Sequence, residues 1–112
     1  MLIDELNRKV QELETSIKLL RQNGTAYAKA EMDYKVLLRQ ECLKLRDEGM
    51  TVGMIDKTCY GIPRVAEARF KRDVAEAVYK ANLEAINSIK LQLRLIESQI
   101  QREYGVAGRG QI

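Results

Sequence analysis

The stretch that decides the fold reads GMTVGMIDKTCYGIP over residues 49–63. It contains three of the seven glycines and the only proline of the chain, which are the residues that interrupt helices most strongly. Gly49 fits the position just past a helix C-terminus, and Pro63 fits the first turn of a following helix. We call residues 49–63 the tip segment. We expect a short helix or turn there, capped by Thr51 and running to about Thr58.

Apolar residues recur three and four positions apart on both sides of the tip segment, as at the a and d positions of a coiled coil. The two runs, which we call the heptad arms, are related by a midpoint near residue 53. Folding the chain back at the tip segment therefore brings them together. The predicted seam consists of Ile3, Leu6, Val10, Leu13, Ile17 and Leu20 in the first arm and Ile86, Ile89, Leu93, Ile96 and Ile100 in the second.

This pattern predicts an all-α protein, a long antiparallel helical hairpin or coiled coil, with helices over about 2–48 and about 64–104. Residues 1–104 are expected to form a single helical-hairpin domain, and the glycines that follow predict a flexible tail at 105–112. Asn23-Gly24 permits a turn, which would give three helices. We expect a continuous helix instead, because no proline follows and one helical glycine costs only about 1 kcal/mol.

Several leucines lie outside the a and d positions and widen the apolar face of the hairpin. A two-helix hairpin buries little surface alone, so a dimeric or larger helical bundle is expected. The leucines concerned are Leu19, Leu83, Leu91 and Leu95.

Positive charge is concentrated in residues 49–72, which contain five basic and two acidic side chains. That excess equals the net charge of +3 of the whole chain. Such a cluster can contact the phosphates of DNA or RNA, or pair with acids one turn away. Methionines near the tip suit an adaptable protein contact. The candidate protein- or nucleic-acid-binding residues are Met50, Met54, Lys57, Arg64, Arg69, Phe70, Lys71 and Arg72.

Side chains for catalysis or metal binding are sparse. The chain has no His, which is the commonest general base and metal ligand, and it has no glycine-rich phosphate loop. Cys42 and Cys59 are too far apart for a CxxC pair or a zinc knuckle. We expect Cys42 in the core and Cys59 to be exposed. No catalytic residue, metal site or cofactor is predicted, and we do not expect an enzyme.

The expected location is the cytoplasm, or the host cytoplasm if the chain is phage-encoded. Asp4 and Glu5 stand where a signal peptide would be basic. No apolar run approaches the roughly 20 residues that span a bilayer, so no membrane association is expected. Two cysteines that form no disulfide framework suit a reducing compartment.

A resemblance to a known group of proteins rests on five segments of the chain, from about Tyr27 to about Tyr104. They are Ala30–Tyr34, Leu45–Met50, Val65–Glu76, Ala85–Asn87 and Arg102–Gly105. The chain resembles small, mostly uncharacterised helical proteins, coiled-coil hairpins, of phages and prophages of Gram-positive bacteria. The resemblance implies an accessory role in recombination or replication, or the blocking of a host factor. It brings no established catalytic or binding residues.

The expected function is therefore that of a non-catalytic phage-type accessory or inhibitor protein. It would form a homo-oligomer through the heptad arms and bind a protein partner. The alternative is a nucleic-acid-binding protein that uses the basic residues of 49–72 in recombination or replication.

Overall fold

The computed structural model describes residues 1–110, with side chains described for residues 1–105. The helices are α1 (Leu2–Asp47), α2 (Val52–Thr58) and α3 (Pro63–Gly110), and a 3-10 turn at Cys59–Gly61 precedes α3. Within residues 1–110 there is no β-strand. The predicted all-α class, with two long helices and a short helix between them, is confirmed.

Helix α1 ends where the glycine predicts. Gly49 has φ 88°, a left-handed conformation that glycine adopts without steric cost. The amide of Gly49 donates to the carbonyl of Arg46 at 3.0 Å, and the amide of Met50 donates to the carbonyl of Leu45 at 3.1 Å. These two bonds form a Schellman cap, which satisfies carbonyls that the helix end leaves open.

The tip segment holds the predicted short helix. Thr51 is the N-cap of α2 in extended conformation, and its carbonyl accepts a hydrogen bond from the amide of Ile55 at 2.9 Å. The Thr51 hydroxyl makes no capping bond, so the cap position was predicted correctly and its side-chain role was not. Pro63 opens α3, where a missing amide proton costs no intrahelical bond.

The predicted end of the second long helix at Tyr104 is wrong, because α3 continues to Gly110. Three glycines without a proline weaken a helix by about 1 kcal/mol each and need not stop it. The predicted tail at 105–112 thus begins inside α3, and its last two residues lie outside the described part of the chain. The flexibility of that tail stays a prediction.

Helix α1 runs through Asn23-Gly24 without a break, as expected. Gly24 sits beside the ring of Tyr79. A Cβ built on Gly24 would lie 3.4 Å from Cε2 of that ring, which is close to ordinary contact.

Gly24→Ala is therefore expected to raise the free energy of unfolding by up to about 1 kcal/mol, because alanine loses less backbone freedom in a helix. Urea denaturation followed by circular dichroism measures the change. A loss of stability would show that the Tyr79 ring is held too firmly to move by a few tenths of an ångström.

The chain divides into two compact units. The middle unit is Gln22–Lys80, and the terminal unit is Met1–Arg21 together with Ala81–Ile112. The prediction of a single domain stays a prediction.

In the middle unit, contacts between α1 and α3 recur about once per heptad and run in opposite chain directions. The two helices are therefore antiparallel within this unit. Its buried apolar side chains are Tyr34, Ile55, Cys59 and Val65, so the tip segment contributes two of them. The contacts join Tyr27 to Tyr79, Tyr34 to Arg72 and Glu41 to Arg64.

The terminal unit is also antiparallel. Residues 1–3 border the same groove as residues 103 and 104, and the Asn82 side-chain amide donates to the carbonyl of Ser16 at 3.1 Å. Ile86 and Ile96 are its buried apolar side chains among the described residues. A buried asparagine of this kind is a typical determinant of helix register.

On α1 only half of the predicted seam residues are packed within the chain, and their role in an oligomer stays a prediction. Ile3, Val10 and Ile17 are exposed, whereas Leu6, Leu13 and Leu20 are half-buried. The other inward line consists of Leu2, Lys9 and Ser16, because the helix is rotated relative to the purely apolar pattern. On α3 all five predicted positions are buried or half-buried: Ile86, Ile89, Leu93, Ile96 and Ile100.

None of the helices, over the residues described, combines the length and apolar character needed to cross a membrane.

Candidate interaction surface on the middle unit

Arg72 is held inside the middle unit. Its guanidinium lies 4.7 Å from the centre of the Tyr34 ring, and its Nη2 lies 2.9 Å from Oδ1 of Asp73. The hydrogen bond to Asp73 is the main cause that raises the pKa of Arg72, against the opposing effect of burial. With a side chain 20% exposed, Arg72 stabilises the helix pair and offers little to an external ligand.

Arg64 joins the two long helices. Its Nη1 lies 3.4 Å from Oε1 of Glu41, and the Nζ of Lys44 lies 3.4 Å from the same oxygen. The Glu41 side chain is only 11% exposed, so water solvates its carboxylate little and these two cations stabilise its negative charge. Sequence reasoning missed Glu41, because its partner lies 23 positions away on α3.

The other basic residues differ in their surroundings. Lys71 pairs with Glu67 at 3.5 Å one turn away, and Arg69 lies over the Tyr60 ring at 5.9 Å. Lys57 is exposed on α2. Four of the five candidate cations thus have partners within the chain, which reduces the charge available to a nucleic acid.

The most exposed large apolar side chain of α3 in this unit is Phe70, at 68%. Val74 and Val78 follow at intervals of four residues and are also exposed. We call Phe70, Val74 and Val78 the apolar stripe. It lies on a side of α3 different from that of the fully buried Val65. Phe70 is one of the residues predicted from the sequence, whereas Val74 and Val78 are not. The signal that could have found them is the spacing of four residues between apolar side chains outside the heptad positions.

The tip segment separates its two methionines. Met54 is exposed on α2, together with Val52, while Met50 is half-buried beside the helix cap. Ile55 and Cys59 point into the core of the unit. Met54 is therefore available for contact, and Met50 contributes to packing.

Cys59 is 2% exposed, so the expectation of an exposed thiol was wrong. The 3-10 turn carries it inward, where it hydrogen-bonds the thiol of Cys42. Burial, followed by that hydrogen bond, raises the pKa of the Cys42 thiol above its ordinary value. Because the thiolate is the reactive form, this environment disfavours nucleophilic chemistry. Both cysteines are free thiols.

A groove of about 280 Å³ lies between α1 and α3 of this unit. Two carboxylates and two cations line it beside three apolar side chains, so its charge is balanced. Across residues 1–105 no group of three or more His, Cys, Asp or Glu side chains is placed to hold a metal ion. The residues that line the groove are Ala30, Asp33, Leu37, Arg64, Glu67, Ala68 and Lys71.

No protein-family model, curated protein or solved structure is significantly similar to this chain. The resemblance to helical phage proteins therefore stays a prediction from the residues alone.

Proposed function

We propose that this chain is a non-catalytic protein-binding module, which recognises a partner protein through the apolar stripe and self-associates through its heptad arms. The observation that carries the proposal is the exposure of Phe70 on α3. Exposed apolar patches of this kind favour association, because covering them removes apolar surface from water. The cations around the stripe are meanwhile engaged within the chain.

The spacing of the stripe defines the kind of contact. Side chains four residues apart form a ridge along a helix, which packs into the groove of another helix or into an apolar cleft. Phe70 is suited to be the anchor, since a buried aromatic side chain removes roughly 150–250 Å² from water. The proposed partner therefore presents an apolar groove.

The role that fits such a module is stoichiometric binding, as in a phage-type accessory or inhibitor protein. Such a protein acts by occupying a surface of its target and needs no catalytic group. This agrees with the arrangement of the middle unit, in which Cys59 is buried beside the half-buried Cys42, and Glu41 and Glu67 are paired with cations.

The test compares two double variants of the tagged chain. Phe70→Ala/Val74→Ala truncates two of the three side chains of the apolar stripe, and Met32→Ala/Val36→Ala truncates an equally spaced, exposed pair on α1. Affinity capture with quantitative mass spectrometry should show one protein enriched by the parent and by the α1 variant. The enrichment of that protein by the stripe variant should be at least about 30-fold lower, as expected when an aromatic anchor that contributes roughly 2 kcal/mol to binding is lost.

Circular dichroism must show equal helicity for the three chains. Equal enrichment by both variants would contradict the proposal, as would a parent chain that enriches nothing over the tag alone.

Nucleic-acid binding is the alternative, and one observation favours it. The Arg64 and Lys71 side chains stay exposed, at 67% and 70%, although carboxylates lie within 3.5 Å of both. Fluorescence polarisation with single- and double-stranded DNA should then show binding that weakens steeply with salt. Binding lost in Arg64→Ala/Lys71→Ala and kept in Phe70→Ala would favour this function. No binding at low salt would exclude it.

A further inference from the structure

The two cysteines of the chain meet inside the middle unit, although they belong to different structural elements. Cys42 lies on α1, and Cys59 opens the 3-10 turn of the tip segment. A hydrogen bond joins their thiols. Cys42 is half-buried, whereas Cys59 is only 2% exposed. The fold thus brings both thiols of the chain to one place, where solvent reaches one of them much more than the other.

The contact between the thiols has a chemical consequence beyond packing. A single free cysteine in a core behaves as a small apolar side chain. Two thiols in hydrogen-bond contact, in contrast, already point their sulfur atoms at each other. A disulfide bond is shorter, at about 2.05 Å, so rotation of the two side chains must bring the sulfurs closer. Among the residues with described side chains, these thiols belong to no group of three or more that could hold a metal ion.

We propose that Cys42 and Cys59 form a redox-active dithiol, which a low-molecular-weight disulfide such as oxidised glutathione converts into an intramolecular disulfide, with Cys42 as the thiol that reacts first. The new bond closes a loop that contains the end of α1 and the whole of α2. It therefore ties the segment that carries the exposed Val52 and Met54 covalently to α1. The inference goes beyond the proposed function and does not depend on the apolar stripe.

The reaction proceeds by two thiol–disulfide exchanges. The Cys42 thiolate attacks one sulfur of oxidised glutathione, which forms a mixed disulfide and releases the first glutathione as a thiolate. Cys59 then loses its proton, and its sulfur attacks the sulfur of Cys42 and displaces the second glutathione thiolate. The two glutathione thiolates take up the two protons that the cysteines lose. Two cysteine thiols are thereby oxidised to one disulfide, and one glutathione disulfide is reduced to two thiols.

The surroundings of Cys42 make the conversion slow. Burial raises the pKa of its thiol, so little of it is in the reactive thiolate form at neutral pH. In a reducing compartment the dithiol form therefore persists through a brief exposure to oxidant. A sustained excess of oxidised over reduced glutathione is needed to form the disulfide.

The experiment incubates the reduced, full-length chain with oxidised glutathione at mildly alkaline pH. Intact mass and peptide mapping without reductant identify the product. The chain should lose the mass of two hydrogen atoms and yield a cross-linked peptide that contains Cys42 and Cys59. A mixed disulfide that accumulates without this cross-link would overturn the proposal. Cross-links between two copies, or thiols that react only after urea is added, would overturn it as well.

Single variants test the order of the two exchanges. Cys59→Ala should stop at the mixed disulfide between Cys42 and glutathione, because no second thiol can displace the glutathione. Cys42→Ala leaves only the buried thiol, which should react at least about ten-fold more slowly than the parent. Circular dichroism must show equal helicity for both variants. A faster reaction of Cys42→Ala than of Cys59→Ala would overturn the proposal, since the buried thiol would then be the accessible one.

Equilibration with mixtures of oxidised and reduced glutathione tests whether the fold positions the two sulfurs. The equilibrium constant for forming the disulfide should be on the order of a hundred-fold larger in the folded chain than in the chain unfolded in urea, because folding has already closed the loop between the cysteines. An equal or smaller constant in the folded chain would overturn the proposal. Phe70→Ala/Val74→Ala should form the disulfide as the parent does, which separates this result from that of partner capture.

Discussion

Val65→Asp is expected to unfold the middle unit, with a loss of about 4 kcal/mol or more in the free energy of unfolding. Val65 is the one fully buried side chain of the described residues, at 0% exposure. An aspartate there would bury a charge in the apolar core of the unit, to which Ile55 and Cys59 also belong. Losses of this size come from such burial and rarely from surface changes. Natural domains have only about 5–15 kcal/mol in reserve.

The measurement is urea denaturation followed by circular dichroism at 222 nm, a wavelength at which helices dominate the signal. Val74→Asp is the matched control, because it makes the same substitution on the same helix at a side chain that is 46% exposed. Its effect should stay within about 0.5 kcal/mol. If the two variants unfold at the same urea concentration, Val65 does not hold the core.

Removing the cation of the Glu41–Arg64 pair should destabilise the middle unit more than removing its carboxylate. Arg64→Ala is expected to cost about 1–3 kcal/mol, because it leaves a nearly buried carboxylate with Lys44 as its remaining partner. Glu41→Leu removes the buried charge and fills the site with apolar atoms. Its effect should be neutral or stabilising.

Lys71→Ala provides the control for this comparison. Lys71 and Glu67 are both well exposed, so their pair should contribute less than about 1 kcal/mol. Denaturation curves of the three variants test the ranking. A smaller loss of unfolding free energy for Arg64→Ala than for Lys71→Ala would contradict the ranking. It would show that water reaches Glu41 and that the cross-helix pair stabilises the unit no more than a surface pair does.

Local chemistry accounts for the parts of the fold that the sequence predicts well. Gly49 ends α1 and Pro63 begins α3 at the predicted places, since each acts through its own backbone. Gly105 misleads because a glycine with no special conformation only weakens a helix. The strength of a stop signal depends on φ, which the residue type does not specify.

The rotation of α1 is a property of the helix pair, and periodicity alone cannot supply it. Leu2 and Ile3 are adjacent apolar residues, as are Leu19 and Leu20. Two overlapping registers of the heptad pattern therefore fit the same stretch of α1. The packing places the polar Ser16 inward, where its carbonyl accepts the hydrogen bond from Asn82. A pattern search that counts only apolar residues assigns no inward role to Asn82 or Ser16.

The candidate interaction surface, too, is only partly predictable from the sequence. The cations, Phe70 and Met54 are visible in the sequence, and so is the pairing of Lys71 with Glu67 one turn away. The contacts of Arg72 with Tyr34 and of Cys42 with Cys59 join distant parts of the chain. They decide which of the visible residues remain available to a partner, and only the tertiary structure reveals them.

Gly49 illustrates how a backbone angle shapes mutational tolerance. A Cβ added there would meet no atom within 4 Å, so nothing in the packing forbids a larger side chain. The φ of 88° nevertheless penalises every L-amino acid by about 1 kcal/mol or more. A saturation library should therefore retain glycine at this exposed position while its neighbours accept many residues. The intolerance of Gly49 to substitution would then reflect its backbone dihedral angle. A survey of variants alone would mistake Gly49 for a binding residue.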